Sequence, residues 1–425
     1  MEFKDNGVVC VMPWLHLHVS TTGNAYPCCV SDYSQPVGNI RNDKINTIAN
    51  SEKMCSIRKN MLEGKQSSIC SWCYQNEEVS NHSFRKTSIE NFGHHFDDLV
   101  YHTEKDGSIP EFRMRYLDVR FSNICNFKCR TCGVEFSSQW AQENKNLGLH
   151  DSEIIQKADQ TNSTLEQILE HVPNMEEAYF AGGEPLITDE HYIILEELIR
   201  TGAYKNVKLR YSTNMSNLKY KKYDLFEMWK WFPRLEISVS VDHYGERAEY
   251  IRTGTDWGVI ENNIKDIRQK LPHNIDWQFN TVVSIFNYNT LGKVYEYLVD
   301  AGLKAPTDNV TVSNCLTPTE FNPQSLPRHL KDIANKHVDL YAKRFKVIKK
   351  DWSYQALESA YKFVNKKDLW EQNKDLMQKN ILRLDTIRNT QFVDTFPELA
   401  DLMKDQSDMT KIHTKELEKW IKTTS

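Results

Sequence analysis

The sequence lacks any run approaching the ~18 uninterrupted apolar residues of a membrane-spanning helix. Its polar start, Met1-Glu2-Phe3-Lys4-Asp5-Asn6, carries no signal peptide, so a cytoplasmic protein is expected. A basic excess is also missing: 53 Lys and Arg stand against 58 Asp and Glu, well interspersed, for a formal net charge of −5. No overall positive field exists to hold a polyanion, and nucleic-acid binding is not favoured. Internal repeats and low-complexity segments are absent. What is present is apolar and aromatic, with 40% hydrophobic residues, 18 Phe, 19 Tyr and 10 Trp in 425 residues. That content excludes a disordered chain and, at ~100–200 residues per domain, suits two or three globular domains. Ten cysteines in such a chain point to metal or redox chemistry, because disulfide frameworks belong to small secreted domains.

The cysteines divide the chain. Cys10, Cys28, Cys29, Cys55, Cys70 and Cys73 fall early, Cys125, Cys129 and Cys132 form one tight group, and none follows Cys315. The expected organisation is a Cys-rich head over 1–90, a linker over 91–110, a middle domain over 111–322 and a helical C-terminal cap over 323–425. The middle alternates apolar, β-branched runs with amphipathic segments, the pattern of βα units and parallel strands. Strands are expected at Tyr116–Phe121, Glu177–Ala181, Val207–Ser212, Leu235–Val241, Trp277–Val283 and Val310–Ser313. Six units are too few for a closed eight-stranded barrel, so the fold class is α/β, a partial (β/α)6 TIM-type barrel, with a doubly wound open sheet as alternative. In the tail, Leu330, Ile333, Leu340, Tyr341, Phe345 and Ile348 keep helical spacing. The basic residues Lys343, Arg344, Lys346, Lys349 and Lys350 read as a solvated helix face.

After the first strand, three thiols spaced C-x3-C-x2-C share one loop, Cys125, Cys129 and Cys132. Three thiolates are one short of a closed zinc site, whereas an iron–sulfur cluster held by three leaves one iron open. The spacing resembles the signature of the radical S-adenosylmethionine (SAM) superfamily, whose open iron binds the amino and carboxylate groups of SAM. Ala181-Gly182-Gly183-Glu184-Pro185 after the second strand is similar to that family's turn at the methionyl amino group. The third strand ends in Ser212, Thr213 and Asn214 and the fourth in Ser240 and Asp242. The resemblance implies Ser240 and Asp242 at the ribose and Arg252 at the methionyl carboxylate. Where the family often has an aromatic residue before the third cysteine, this chain has Thr131, which leaves the adenine packing open.

In the head, two apolar stretches flank Thr22-Gly23-Asn24 as in a β-hairpin, which would bring Cys10 near Cys28. Cys70 and Cys73 then complete four thiols; Cys29 and Cys55 are substitutes, and zinc is the competing occupant. The order resembles the twitch or SPASM modules that bind an auxiliary [4Fe-4S] cluster, here ahead of the barrel. His16 and His18 alternate with Leu15 and Leu17 and read as polar surface or loop-packing residues. The resemblance implies cleavage of SAM by an external one-electron reductant of flavodoxin or ferredoxin type, and hydrogen abstraction from a small-molecule or peptide substrate. Net oxidation follows if the auxiliary cluster accepts an electron, and epimerisation if Cys315 returns a hydrogen atom. A non-catalytic zinc or iron–sulfur scaffold is the alternative of another class.

Overall fold

The computed structural model describes residues 7–79, 82–149, 153–159, 161, 163–271, 275–348 and 350–403. Of the expected helical tail, Lys349 and residues 404–425 lie outside the described residues. The strands used below are β1 (His16–Val19), β2 (Asn24–Tyr26), β3 (Gly38–Asn39), β4 (Tyr116–Val119), β5 (Glu177–Phe180), β6 (Lys208–Thr213), β7 (Arg234–Ser240), β8 (Ile275–Val283) and β9 (Asn309–Asn314). Strands β4 to β9 are the six expected, each end within two residues of the reading. Helices Ser163–His171, Asp189–Thr201, Leu225–Trp229, Trp257–Lys270 and Leu291–Asp300 alternate with them. No helix among the described residues is long and apolar enough to cross a membrane.

The chain divides into two compact units, Met1–Ile124 with Ile155–Tyr211 and Lys221–Leu235, and Cys125–Ile154 with Ser212–Tyr220 and Glu236–Ser425. In the first, the strand order is β6-β5-β4-β1-β2-β3. β4, β5 and β6 run parallel, Tyr116 opposite Glu177 and Tyr179 opposite Arg210. β1 and β2 form the expected antiparallel hairpin, and β1 also pairs parallel with β4, His16 opposite Tyr116 and His18 opposite Asp118. The head hairpin therefore extends the sheet of the first barrel strand.

That pairing buries all four residues of β1. His16 stacks on Tyr116, ring centroids 4.5 Å apart, with Nδ1 2.9 Å from the Tyr116 carbonyl. His18 meets the Asp118 carboxylate at 3.0 Å and the Tyr33 hydroxyl at 2.8 Å. The two histidines thus sit inside the protein, where the alternation alone placed them at a surface or loop. Arg58, fully buried, donates to the carbonyls of Gly107, Pro13 and Ala49 at 2.7, 2.8 and 2.6 Å and so ties the head's chain crossings together. Residues expected as linker carry a turn, Gly93–His95, and a helix, Phe96–Tyr101.

In the second unit the order is β9-β8-β7, with β8 and β9 parallel and Val283 opposite Asn314. β8 alternates as a strand with one buried face must, Trp277, Phe279, Thr281 and Val283 buried and Gln278, Asn280 and Val282 half-buried. The tail forms helices Arg328–Val347, Ser353–Val364 and Trp370–Arg388. On the first of these, Leu330, Ala334, Val338 and Phe345 face inward, while Lys343 pairs with Asp339 one turn away on the solvated side.

Burial lowers His16 to about 4 and His191 and His243 to about 3. Each is neutral when folded but protonates near 6.5 once unfolded, so its contribution is present above that pH and lost as pH falls toward the folded value. Urea unfolding at pH 7, 6 and 5 is expected to show a loss of several kcal/mol, each histidine adding up to ~1.4 kcal/mol per pH unit. His191→Gln should flatten the slope by about a third of this histidine-linked part; an unchanged slope contradicts the assignment.

Candidate functional site

The loop with three thiols has little regular structure, and its shape comes from what holds it. Ser138 Oγ lies 3.3 Å from both the amide and the carbonyl of Cys125, Ser137 donates to the Phe127 carbonyl at 2.5 Å, and Trp140 Nε1 donates to the Cys129 carbonyl at 2.6 Å. From the other side, Lys128 and Arg130 amides donate to the Thr253 and Ile251 carbonyls at 2.8 and 2.7 Å. A Cβ on Gly254 would stand 2.8 Å from the Asn126 carbonyl, so glycine there lets the two segments touch.

Arg130, between the second and third cysteine, is fully buried. Its Nη2 donates to Asp385 and Thr390, each at 2.8 Å, its Nε donates to the Tyr250 carbonyl at 3.0 Å, and its guanidinium lies 3.7 Å from the Tyr250 ring centroid. Tyr250 also donates to Asp385 at 2.7 Å. Beside it, Glu143 takes Lys128 at 2.5 Å and Arg388 at 2.8 Å. The tail helix Trp370–Arg388 is thereby clamped to the thiol loop, a link that no local pattern foretold.

The glycine turn packs against the residues just before the loop. Gly182 has φ +128°, and a Cβ on Gly183 would fall 2.0 Å from the Ile124 carbonyl. Only glycine fits, and it allows Glu184 to donate its amide to that carbonyl at 2.7 Å. The buried Glu184 carboxylate accepts from the Leu186 amide at 3.1 Å.

In the second unit, Thr213 accepts from the Met215 amide at 3.0 Å, and Asn214 donates to the side chain of Asn126 in the thiol loop at 3.0 Å. Ser212 and Ser240 are half-buried at their strand ends. Asp242, expected at a ribose, is fully buried with its carboxylate engaged inside the protein: Oδ1 accepts from the Val282 amide at 2.7 Å and Oδ2 lies 2.8 Å from Arg252 Nε. It therefore orients Arg252, whose Nη1 stands 4.0 Å from Cys129 Sγ. Burial opposes the charge of Arg252, but Asp242 and Cys129 outweigh it and keep it a cation.

Cys315 is buried at the end of β9, its amide on the Val283 carbonyl at 2.9 Å and its sulfur 3.7 Å from the carbonyls of Thr317 and Pro318. Burial, then Asp242 and Glu320, push its thiol up to about 12.

In the head, burial raises the Cys10 thiol most, and Cys28, Cys70 and Cys73 add to the rise. Buried thiols of this kind ionise when a metal takes them as thiolates. Cys29 is raised by burial and then by Asp118, on the side of the β1–β4 pair. Cys55 lies with the Asn50 carbonyl and Arg58. Cys28, not Cys29 or Cys55, thus acts on Cys10 together with Cys70 and Cys73.

Residues 119–298 match the radical SAM superfamily model, and residues 10–74 match the SPASM iron–sulfur cluster-binding domain. The chain thus carries a radical SAM domain. Its strands and helices are those of an α/β partial barrel, preceded by a SPASM-type module. The radical SAM domain takes SAM and a [4Fe-4S] cluster, and the SPASM domain an auxiliary iron–sulfur cluster. No curated protein sequence matches the chain. Among solved structures it is similar to native anSMEcpe with bound AdoMet, 18% identical over 55% of this chain and 62% of that one, TM-score 0.40. It is also similar to Streptococcus suis SuiB bound to S-adenosylmethionine, 13% identical over 68% of this chain and 63% of that one, TM-score 0.37. The chain thus spans less than two thirds of the length of either.

Removing Asp385 leaves the buried Arg130 charge unpaired, at a cost of about 3–5 kcal/mol. Asp385→Ala is expected to lower the unfolding free energy by about that amount and to lose the barrel cluster on reconstitution, roughly halving bound iron. Wild-type stability and iron content in this variant would refute the clamp.

Proposed function

We propose that this radical SAM enzyme abstracts a hydrogen atom from an unactivated C–H bond of a small-molecule or peptide substrate, with net oxidation as the outcome. The reading rests on two unequal sets of thiols, an incomplete three in the barrel loop and a complete four in the head. When bound, the barrel cluster and SAM supply a strong hydrogen-atom abstractor, and the head cluster supplies an acceptor for the substrate's electron.

The chain's own residues would do the rest. Cys125, Cys129 and Cys132 hold the barrel cluster, and Cys10, Cys28, Cys70 and Cys73 the auxiliary one. Arg252, a buried cation 4.0 Å from Cys129, suits the methionyl carboxylate. The Gly182-Gly183 turn admits the backbone close to the methionyl amino group, with Glu184 and Pro185 completing it. Ser212, Thr213, Asn214 and Ser240 line the strand ends toward the nucleoside, and Asp242 positions Arg252. A flavodoxin- or ferredoxin-type reductant in the cytoplasm would deliver the electron. The working parts are then a head over 1–90, a barrel over 111–322 and a helical cap from 323.

The spread of the sulfurs supports clusters over zinc. Thiolates ~2.3 Å from one zinc stand about 3.8 Å apart. Among the described residues, the group whose ligand atoms gather within 4.8 Å is His94, His95 and Glu176, and no thiol belongs to it.

Anaerobically reconstituted protein is expected to bind about eight irons and to form 5′-deoxyadenosine from SAM with dithionite. Replacing Cys125, Cys129 and Cys132 together by Ala should leave about four irons and abolish cleavage. Colourless, zinc-loaded protein that leaves SAM intact would support the scaffold reading.

Epimerisation is the second reading, favoured by one observation: a hydrogen-atom donor must keep its S–H, and Cys315 is held as a thiol. In that case Cys315→Ala abolishes solvent deuterium incorporation into product while SAM cleavage continues. Unchanged incorporation removes this reading.

A further inference from the structure

We propose that the sheet face beside the Gly182-Gly183 turn binds an anionic group of the substrate, a carboxylate or a phosphate, through the guanidinium of Arg120. The inference deepens the reading above, in which substrate and SAM meet at the strand ends of the barrel.

Strand alternation puts Asp118 and Arg120, Glu177 and Tyr179, and Lys208 and Arg210 on one face of β4, β5 and β6. Closed barrels fill that interior with branched apolar side chains. Here it is ionisable. The Arg120 and Arg210 guanidiniums lie 4.8 and 5.1 Å from the centroid of the Tyr179 ring between them. Each is fixed by an acid, Arg120 Nη2 on Asp118 at 2.9 Å and Arg210 Nη1 on Glu177 at 2.7 Å. Asp118 is itself fully buried and held by His18, whose other nitrogen meets Tyr33.

The remaining edge of Arg120 is what points to a ligand. Its Nη1 is buried and has no acceptor among the described residues. A charged donor withdrawn from water without a partner is unfavourable, and an incoming anion would supply the acceptor. The planar fork of a guanidinium matches carboxylate or phosphate oxygens. The stem of Arg120 lies 3.5 Å from where a Gly182 Cβ would be, so the anchor adjoins the turn assigned to SAM. Arg252 serves the SAM carboxylate, which leaves Arg120 for a second anion.

The test uses the full chain with both clusters reconstituted and SAM saturating, titrated calorimetrically with acetate, inorganic phosphate and, as neutral control, acetamide. Acetate or phosphate should bind and acetamide should not. Arg120→Gln should weaken the anion at least tenfold, and Arg120→Lys, which keeps the charge but loses the fork, at least threefold, with the SAM dissociation constant within twofold of wild type. Preference for acetate identifies a carboxylate substrate, and preference for phosphate a phosphorylated one. Failure of both anions to bind wild type, equal binding to the variants, or a tenfold loss of SAM affinity in either variant overturns the proposal. A chain that binds the anion through Arg120 but not SAM would instead overturn the radical reading and keep this one.

Discussion

A guanidinium buried between two thiols of one loop is the constraint on which the rest depends. Arg130 has no access to water, so its charge must be met inside the protein, and Asp385, Thr390 and the Tyr250 carbonyl and ring meet it from three directions. A loop with little regular structure thereby takes one shape. The same contacts run through Tyr250 and Ile251 to Arg252, which Asp242 aims at Cys129. The thiol loop, Arg252 and the tail helix are thus parts of one buried electrostatic arrangement, and the tail is more than a cover.

The head is built on a comparable principle. β1 lies parallel to β4 and carries His18 to Asp118, a residue of the first barrel strand. Tyr33 extends this line, its hydroxyl 3.2 Å from the Cys29 carbonyl, next in sequence to Cys28. Arg120 closes the other end against Gly182. An ion pair and a line of hydrogen bonds therefore lead from Arg120, beside the glycine turn, to the head's cysteine loop within a single unit, and placing the module before the barrel makes this possible through direct strand pairing.

Much of this was legible from local pattern. Short apolar or β-branched runs marked all six barrel strands, and β8 shows the alternation of a strand with one buried face. The spacing of Cys125, Cys129 and Cys132, the Gly-Gly-Glu-Pro turn and the hairpin about Gly23 are short-range signals that require no knowledge of the fold. What escaped depends on distant partners. His16 and His18 are buried by a strand 100 residues away, and Arg130 meets Asp385 across 255 residues. Asp118 and Arg120 did leave a trace, two charges two residues apart at the end of an otherwise apolar strand, the spacing of one strand face.

The central claim is that one cluster has an iron without a protein ligand, which SAM fills. Mössbauer spectroscopy of the 57Fe-reconstituted chain, with and without SAM, tests it most directly. SAM should shift the isomer shift and quadrupole splitting of a single iron in one cluster while the irons of the other stay unchanged. Identical spectra with and without SAM in a chain that holds both clusters would contradict the account.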